Sequence, residues 1–427
     1  MFKGLSKEEK SWIFFDWANQ SYVMIVMTAI MALYFGHSME ISGAGEEVAS
    51  AYLGLGNSVA TFVAGILAPI LGTLSGYKGK KKLLFNFFNL VAILSTVALA
   101  FVPTQYWWLL LGVYVLSSIG FAGGSKIYDA FLVDVAPKEN MHRVSSLGFA
   151  MGYIGGAIAF IIAIVFIVLA EFDAIGLSVV TAYRLSFLIA AAWWIIFYIP
   201  MLKNVRQKYG IASEQNYVRK SFIRVWEILK EVMGHKSILL FLIAFFLYSD
   251  GVSSVIRMAI PYGNDIGIDA MMLLVILLVT QFVAFPCAII YGKMAVKFGA
   301  KRTIYFGIAT YVVVCLVALF MHPERDEQTL TIMFWVLAML VGTAQGGIQA
   351  LSRSYFSKII PKEKANEFFG IYNIFGRFAS IIGTTLFGLV ALLTGQPHYG
   401  IAIIAVLFIL AAVVFRYVPD DRTFGAK

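Results

Sequence analysis

Twelve long apolar runs alternate with short polar gaps along the 427 residues. They fall at roughly 11–35, 50–74, 83–102, 106–136, 143–169, 181–202, 237–262, 270–291, 303–321, 329–358, 365–394 and 399–418. At a rise of about 1.5 Å per residue, each is long enough to cross a hydrocarbon core about 30 Å thick. The pattern predicts twelve transmembrane helices. Six runs precede and six follow the one long polar segment, Lys203–Lys236, which carries eight Lys and Arg against three Glu. An all-α membrane protein is therefore expected, with two six-helix bundles, 1–202 and 237–427, joined by a basic linker, 203–236. Within the linker, Trp226–Met233 has the pattern of a short amphipathic helix suited to an anionic membrane surface. In the plainer reading the linker is a solvated tether.

Composition supports lipid as the solvent. Apolar residues make up 60% of the chain and charged residues 13%, against about 25% charged in soluble domains. Mean hydropathy is +0.83. The net charge of +9 could suggest nucleic acid, but its placement argues otherwise. The termini, the linker and alternate gaps hold 27 of the 33 basic residues, and the opposite gaps hold only Arg325. The positive-inside rule puts both termini and the linker in the cytoplasm. The first run, Trp12–Phe35, is too long for a signal-peptide core and stays as a helix. Short tails fit a bacterial inner membrane. Cys287 and Cys315 lie inside apolar runs and read as small core residues.

The halves echo each other. Gly72–Lys82 after the second run and Gly292–Arg302 after the eighth both read G-x6-G-x-[KR]-[KR]. Pro137-Lys138-Glu139 recurs as Pro361-Lys362-Glu363. Such a duplication predicts a binding site at the interface of the two repeats.

Charges inside the runs carry the candidate chemistry, because each costs about 2.5–3.5 kcal/mol on insertion scales. Asp16, Asn19, Gln20 and Val23 form one stripe on the first helix, and Asp250, Ser253, Ser254 and Arg257 form another on the seventh. Asp250 lies roughly 20 Å into its span. Burial raises a carboxylate's proton affinity, so Asp250 and Asp16 are candidates for proton coupling. Structural pairing, with Arg257 for Asp250, is the alternative. Lys126 and Asp129, three apart on the fourth helix, either neutralise each other or separate into a substrate-carboxylate site and a proton site. Gln345, Gln349 and Arg353 share a face of the tenth helix. Asn373 and Arg377 share one of the eleventh. Arg377 either pairs across the interface or binds an anionic group. Arg353, nearer the cytoplasm, reads as a gate or packing residue. No phosphate-binding Gly-Lys loop, nucleophile–base pair or zinc spacing stands out, so neither enzyme activity nor a cofactor is expected.

The paired glycine-basic turns resemble the signature loop of the major facilitator superfamily, which implies gating roles for Gly72, Gly79, Lys81, Gly292, Gly299, Lys301 and Arg302. The acid usual in that loop is replaced by Gly76, and its second-half counterpart is Val296. A narrower resemblance covers most of the chain. Phe15–Tyr22, Tyr128–Leu132, Arg143–Gly156, Tyr248–Val252, Gln349–Phe356 and Phe368–Ser380 are similar, in order, to motifs of the vacuole-effluxer-like branch. Asp129 stands where relatives usually have Asn, and Lys126 is a further departure. Gly152-x-x-Gly155-Gly156 resembles part of a glycine motif of antiporters, with Tyr153 in place of its proline.

The resemblance implies a secondary transporter that alternates access around a cavity lined by helices one, four, seven, ten and eleven. The expected substrate is a small polar or zwitterionic solute, an amino acid or short peptide, exported with proton coupling through Asp250, Asp16 and Asp129. Asn19, Gln20, Lys126, Ser253, Arg257, Gln345, Gln349, Asn373 and Arg377 would bind it. Expected partners are the substrate, protons and membrane lipids, without nucleic acid, and the expected state is a monomer. The rivals are a lipid flippase or drug exporter of the same fold, and a non-transporting sensor or scaffold.

Overall fold

The computed structural model describes residues 2–43, 46–212, 217–265, 267–321, 325–379, 381–394 and 397–421. Among them the architecture is helical, with one isolated parallel bridge between Tyr77 and Ile211. The helices are α1 (Lys7–Ile41), α2 (Glu46–Gly76), α3 (Lys80–Leu99), α4 (Trp107–Ala130), α5 (Met141–Glu171), α6 (Val179–Asn204), α7 (Tyr217–Gly234), α8 (Lys236–Asp265), α9 (Ala270–Phe298), α10 (Ala300–Leu319), α11 (Glu327–Ile359), α12 (Ala365–Phe378), α13 (Ile381–Thr394) and α14 (Pro397–Arg416). Eleven helices among the described residues are long and apolar enough to cross a membrane. The expected 365–394 span is taken up by α12 and α13, of 14 residues each. They flank Ser380, which lies outside the described residues.

Local sequence sets the boundaries. Ser6 and Glu9 exchange side chain–backbone hydrogen bonds at the start of α1, closing a capping box. Within α1, Val23–Ile30 is wound as a π-helix between two α-helical stretches. The two signature turns depend on glycine. Gly79 (φ +79°) and Gly299 (φ +91°) open α3 and α10 from the positive-φ region, where a Cβ is strained.

Two compact units follow the sequence halves over most of their length. Unit 1 comprises Met1–Val135, Met151–Ile223 and Glu363–Gly370; unit 2 comprises Ala136–Ala150, Arg224–Lys362 and Ile371–Lys427. Each therefore takes in a short segment from the other half of the chain. In unit 1, α1 packs on α6, and α4 on both α2 and α3. In unit 2, α9 and α10 pack on α11, while α8, α10 and α13 pack on α14.

Small residues allow the closest approaches, as expected where lipid gives helices no hydrophobic reason to associate. A Cβ on Gly155 of α5 would stand 2.4 Å from the Trp17 ring, and one on Gly156 would stand 3.0 Å from the Gln20 carbonyl. Trp17 in turn stacks on Trp193 of α6, with ring centroids 5.8 Å apart. The glycines of α5 are thus a seam for α1. Gly155→Leu is expected to overpack this seam at a cost of about 1–3 kcal/mol. Thermal unfolding in detergent should show a Tm several degrees lower, whereas Gly112→Ala, at a helical glycine with open space around it, should hold or raise Tm.

Candidate functional site

In unit 1, the polar stripe of α1 faces α4 and α5. Asp16 is buried, and its Oδ2 lies 2.8 Å from the Tyr128 hydroxyl of α4. The same hydroxyl lies 3.0 Å from the Trp12 carbonyl, while the Trp12 indole N–H donates to the Tyr128 carbonyl at 3.0 Å. Tyr128 has one hydroxyl proton and two acceptors for it. With Asp16 ionised, the Tyr128 hydroxyl donates to the carboxylate. Once Asp16 is protonated, its own O–H can donate to Tyr128, which then turns to Trp12. Asn19 donates to Asp16 Oδ1 at 3.4 Å. Gln20, half-buried, lies against Gly152 and Gly156 of α5. Lys126 is buried and donates to the Ala64 carbonyl at 2.5 Å. That carbonyl neighbours Gly65, which Pro69 deprives of its helical donor. Asp129 is half-buried.

In unit 2, Asp250 is fully buried. Both its oxygens accept from the Gly383 N–H, at 3.0 and 3.1 Å, in the first turn of α13. Free N–H groups and a positive dipole end make that turn a natural place for a carboxylate. Arg257, two helical turns from Asp250, is exposed, and the two form no ion pair or hydrogen bond with each other among the described residues. Ser253, Gln349 and Asn373 are half-buried. The side chain of Arg377 lies outside the described residues. Gln345 lines a cavity of about 90 Å³ between α8, α9 and α11, together with Gln281, Thr280 and an apolar wall that includes Ile256 and Phe334. The Gln345 Nε2 is buried and has no hydrogen-bond partner among the described residues.

The residues expected to gate fall into two clusters. In unit 1, Gly72 lies against the Asn366 carbonyl and Gly370 of α12, and Asn366 donates to the Ser75 carbonyl at 2.9 Å. The Glu367 carboxylate stands 3.2 Å from where a Cβ on Gly76 would be. An acid on α12 therefore lies beside Gly76, the position where the signature loop usually carries one. Buried Lys81 forms an ion pair with buried Asp134, just past α4. The other Asp134 oxygen accepts the backbone N–H groups of Lys208 (2.7 Å) and Tyr209 (3.0 Å), which fastens the linker. In unit 2, Gly292 meets the Ser146 side chain. Arg353 donates to the Ser145 hydroxyl and carbonyl at 3.0 and 3.2 Å, and stacks over Phe149 at 4.5 Å. Lys301 donates to the Arg416 and Val418 carbonyls, and Arg302 is exposed.

Beside these residues Asp421 binds His142 Nε2 at 2.8 Å, the Ala300 N–H at 2.9 Å and Lys358 at 3.4 Å, while His142 Nδ1 meets the Ser354 hydroxyl at 2.8 Å. Sequence reasoning missed Tyr128, Asp134, His142 and Asp421. Only Tyr128 carried a signal, because it stands inside a motif already singled out.

The vacuole effluxer Atg22-like family model matches residues 38–141 and 133–425. The chain belongs to this family. A Bacillus subtilis relative, the MFS-type transporter YxiO, is 47% identical over 423 residues, covering 99% of this chain and 97% of its own. Autophagy-related protein 22 of Yarrowia lipolytica is 25% identical over 334 residues, or 72% of this chain and 55% of its own. The chain thus spans about half the length of that fungal relative. Among solved structures, the proton:xylose symporter XylE superposes with a TM-score of 0.72 at 11% identity, covering 97% of this chain and 96% of that one. The E. coli fucose:proton symporter FucP superposes with a TM-score of 0.71 at 15% identity, covering 97% and 98%. The fold is that of the major facilitator superfamily. The protein is a multi-pass secondary transporter and not an enzyme.

The Asp421 cluster has a defined pH signature. Burial acts to raise the carboxyl's pKa, but the His142 hydrogen bond, the His142 and Lys358 charges and the Ala300 N–H outweigh it and hold the group well below the carboxylate range. A depressed folded pKa means the stabilisation is complete above the unfolded value, near 4, and is lost as pH falls toward the folded one. Asp421→Ala should cost about 3 kcal/mol at pH 7, because it strands buried partners. Thermal melts of the two proteins should converge as the pH is lowered below about 4.

Proposed function

We propose that the protein exports a small zwitterionic solute, an amino acid or short peptide, by alternating access coupled to protons. The carrying observation is the Asp16–Tyr128–Trp12 arrangement, in which one hydroxyl proton chooses between a carboxylate at 2.8 Å and a carbonyl at 3.0 Å. Protonation of Asp16 redirects that hydrogen bond and so changes how α1 is tied to α4. Asp250 plays the corresponding part in unit 2. Neutralising it weakens its hold on the first turn of α13. Each half thus has a carboxylate whose charge state sets the grip between two helices, and that is the form a proton-driven switch takes. Asp129 assists in unit 1.

Lys126 and Arg377 supply cationic contacts for a substrate carboxylate. Asn19, Gln20, Ser253, Gln345, Gln349 and Asn373 supply hydrogen bonds. The two symporters of similar fold carry protons in their own descriptions, and the family description is that of an effluxer. Basic residues on one side support a plasma membrane of bacterial type with both termini cytoplasmic.

A second reading, transport of an amphiphile, is favoured by one observation. The cavity beside Gln345 and Gln281 is otherwise apolar, so it suits a molecule with a greasy body and one hydrogen-bonding group.

The test is uptake of labelled amino acids into proteoliposomes under an imposed pH gradient. Asp16→Asn and Asp250→Asn should each lose gradient-driven accumulation while retaining substrate exchange. Tyr128→Phe should lower accumulation fivefold or more, in the range of a coupling energy of about 1–3 kcal/mol. Wild-type accumulation by both Asn variants would sink the proton reading. Movement of lipid analogues with no amino-acid transport would select the second.

A further inference from the structure

Helix α7, in the linker, has an apolar arc wider than the protein covers. Ser221, Ile228 and Val232 are buried. Phe222, Ile223, Trp226 and Met233 are 57–60% exposed. At about 100° per residue, Phe222, Trp226 and Met233 fall within about 40° of one another, with Lys230 and Ile223 following on the same side. Glu227, Lys220 and Glu231 occupy a third sector. The helix therefore has one face against protein, one apolar face uncovered and one polar face.

Two further observations say what covers the apolar face. After Gly234 only His235 intervenes before α8, which begins at Lys236 and runs as a membrane span to Ile260. The C-terminal end of α7 thereby lies one residue from the start of a membrane span. The linker carries eight basic residues against three acidic ones, and the Lys230 ammonium lies 5.8 Å from the Trp226 ring centroid. An amphiphilic indole beside a lysine is the chemistry of the membrane interface, and clustered lysines favour anionic headgroups.

We propose that α7 is an in-plane membrane anchor. Phe222, Trp226 and Met233 insert among the acyl chains of the leaflet that α8 enters, and Lys230 beside them binds an anionic phospholipid headgroup. Anchoring one helix of the linker in lipid makes the transport cycle responsive to the surface charge of the membrane.

The test uses the full chain in nanodiscs containing brominated phosphatidylcholine, with and without about 30% phosphatidylglycerol, the level at which a leaflet's negative potential attracts lysines. Subtracting the emission of Trp226→Phe from that of the wild type isolates Trp226 among the eight tryptophans. Expected are quenching by the bromolipid and protection from aqueous iodide. Lys230→Gln should lower bromolipid quenching at least twofold in anionic discs. Iodide quenching without bromolipid quenching would overturn the proposal and leave a solvated tether. Protection from both quenchers, with a doubled particle mass, would overturn it in favour of a second copy covering the stripe. Quenching indifferent to phosphatidylglycerol and to Lys230→Gln would overturn the anionic-lipid assignment.

Discussion

Hydrocarbon offers no hydrogen bonds, so a charge carried into the membrane must find its partners inside the protein. Four buried carboxylates show how the chain meets this constraint. Asp16 accepts from a tyrosine and an asparagine. Asp250 accepts from the first turn of a helix, and Asp134 from a lysine and two linker amides. Asp421 gathers a histidine, a lysine and a helix-start amide. Each carboxylate joins at least two elements distant in sequence, so removing one loosens a junction as well as a charge. Asp134 and Asp421 sit at the ends of spans and act as fasteners. Asp16 and Asp250 sit within spans, where a change of charge has consequences for helix packing.

Glycine answers a related constraint. With no water to expel between helices, attraction comes from close packing, and a missing Cβ lets a partner in. Gly155 receives an indole and Gly72 receives another backbone. At Gly76 the space admits a carboxylate that the resembling loops carry on the loop itself. Here a carboxylate reaches the Gly76 position from α12.

Much of this was legible in the sequence, and the omissions have physical causes. Apolar runs of span length and one-sided basic residues are local signals, so the helices were readable. The α1 stripe was readable because Asp16 and Asn19 are three apart on one helix. Asp134, His142 and Asp421 lie where apolar runs end, and a charge there needs no explanation. Their partners are 53 residues away for Lys81–Asp134 and 279 for His142–Asp421, beyond any local pattern. Tyr128 was passed over for its neighbour Asp129, because a formal charge draws attention that a phenol does not. The exchange of 136–150 and 363–370 between units has no sequence signature, since both segments continue helices of their own half.

The π-helical turn of α1 alters how that helix should be read. Closing each ring one residue later advances the chain by a smaller angle per residue than an α-helix does. Eight residues wound this way, Val23–Ile30, put the outer third of α1 out of phase with the inner part. A helical wheel drawn straight through from Asp16 therefore assigns His37 and Glu40 to the wrong side. Residue pairings inferred by counting along α1 hold as far as Tyr22, and the count must begin afresh at Met31.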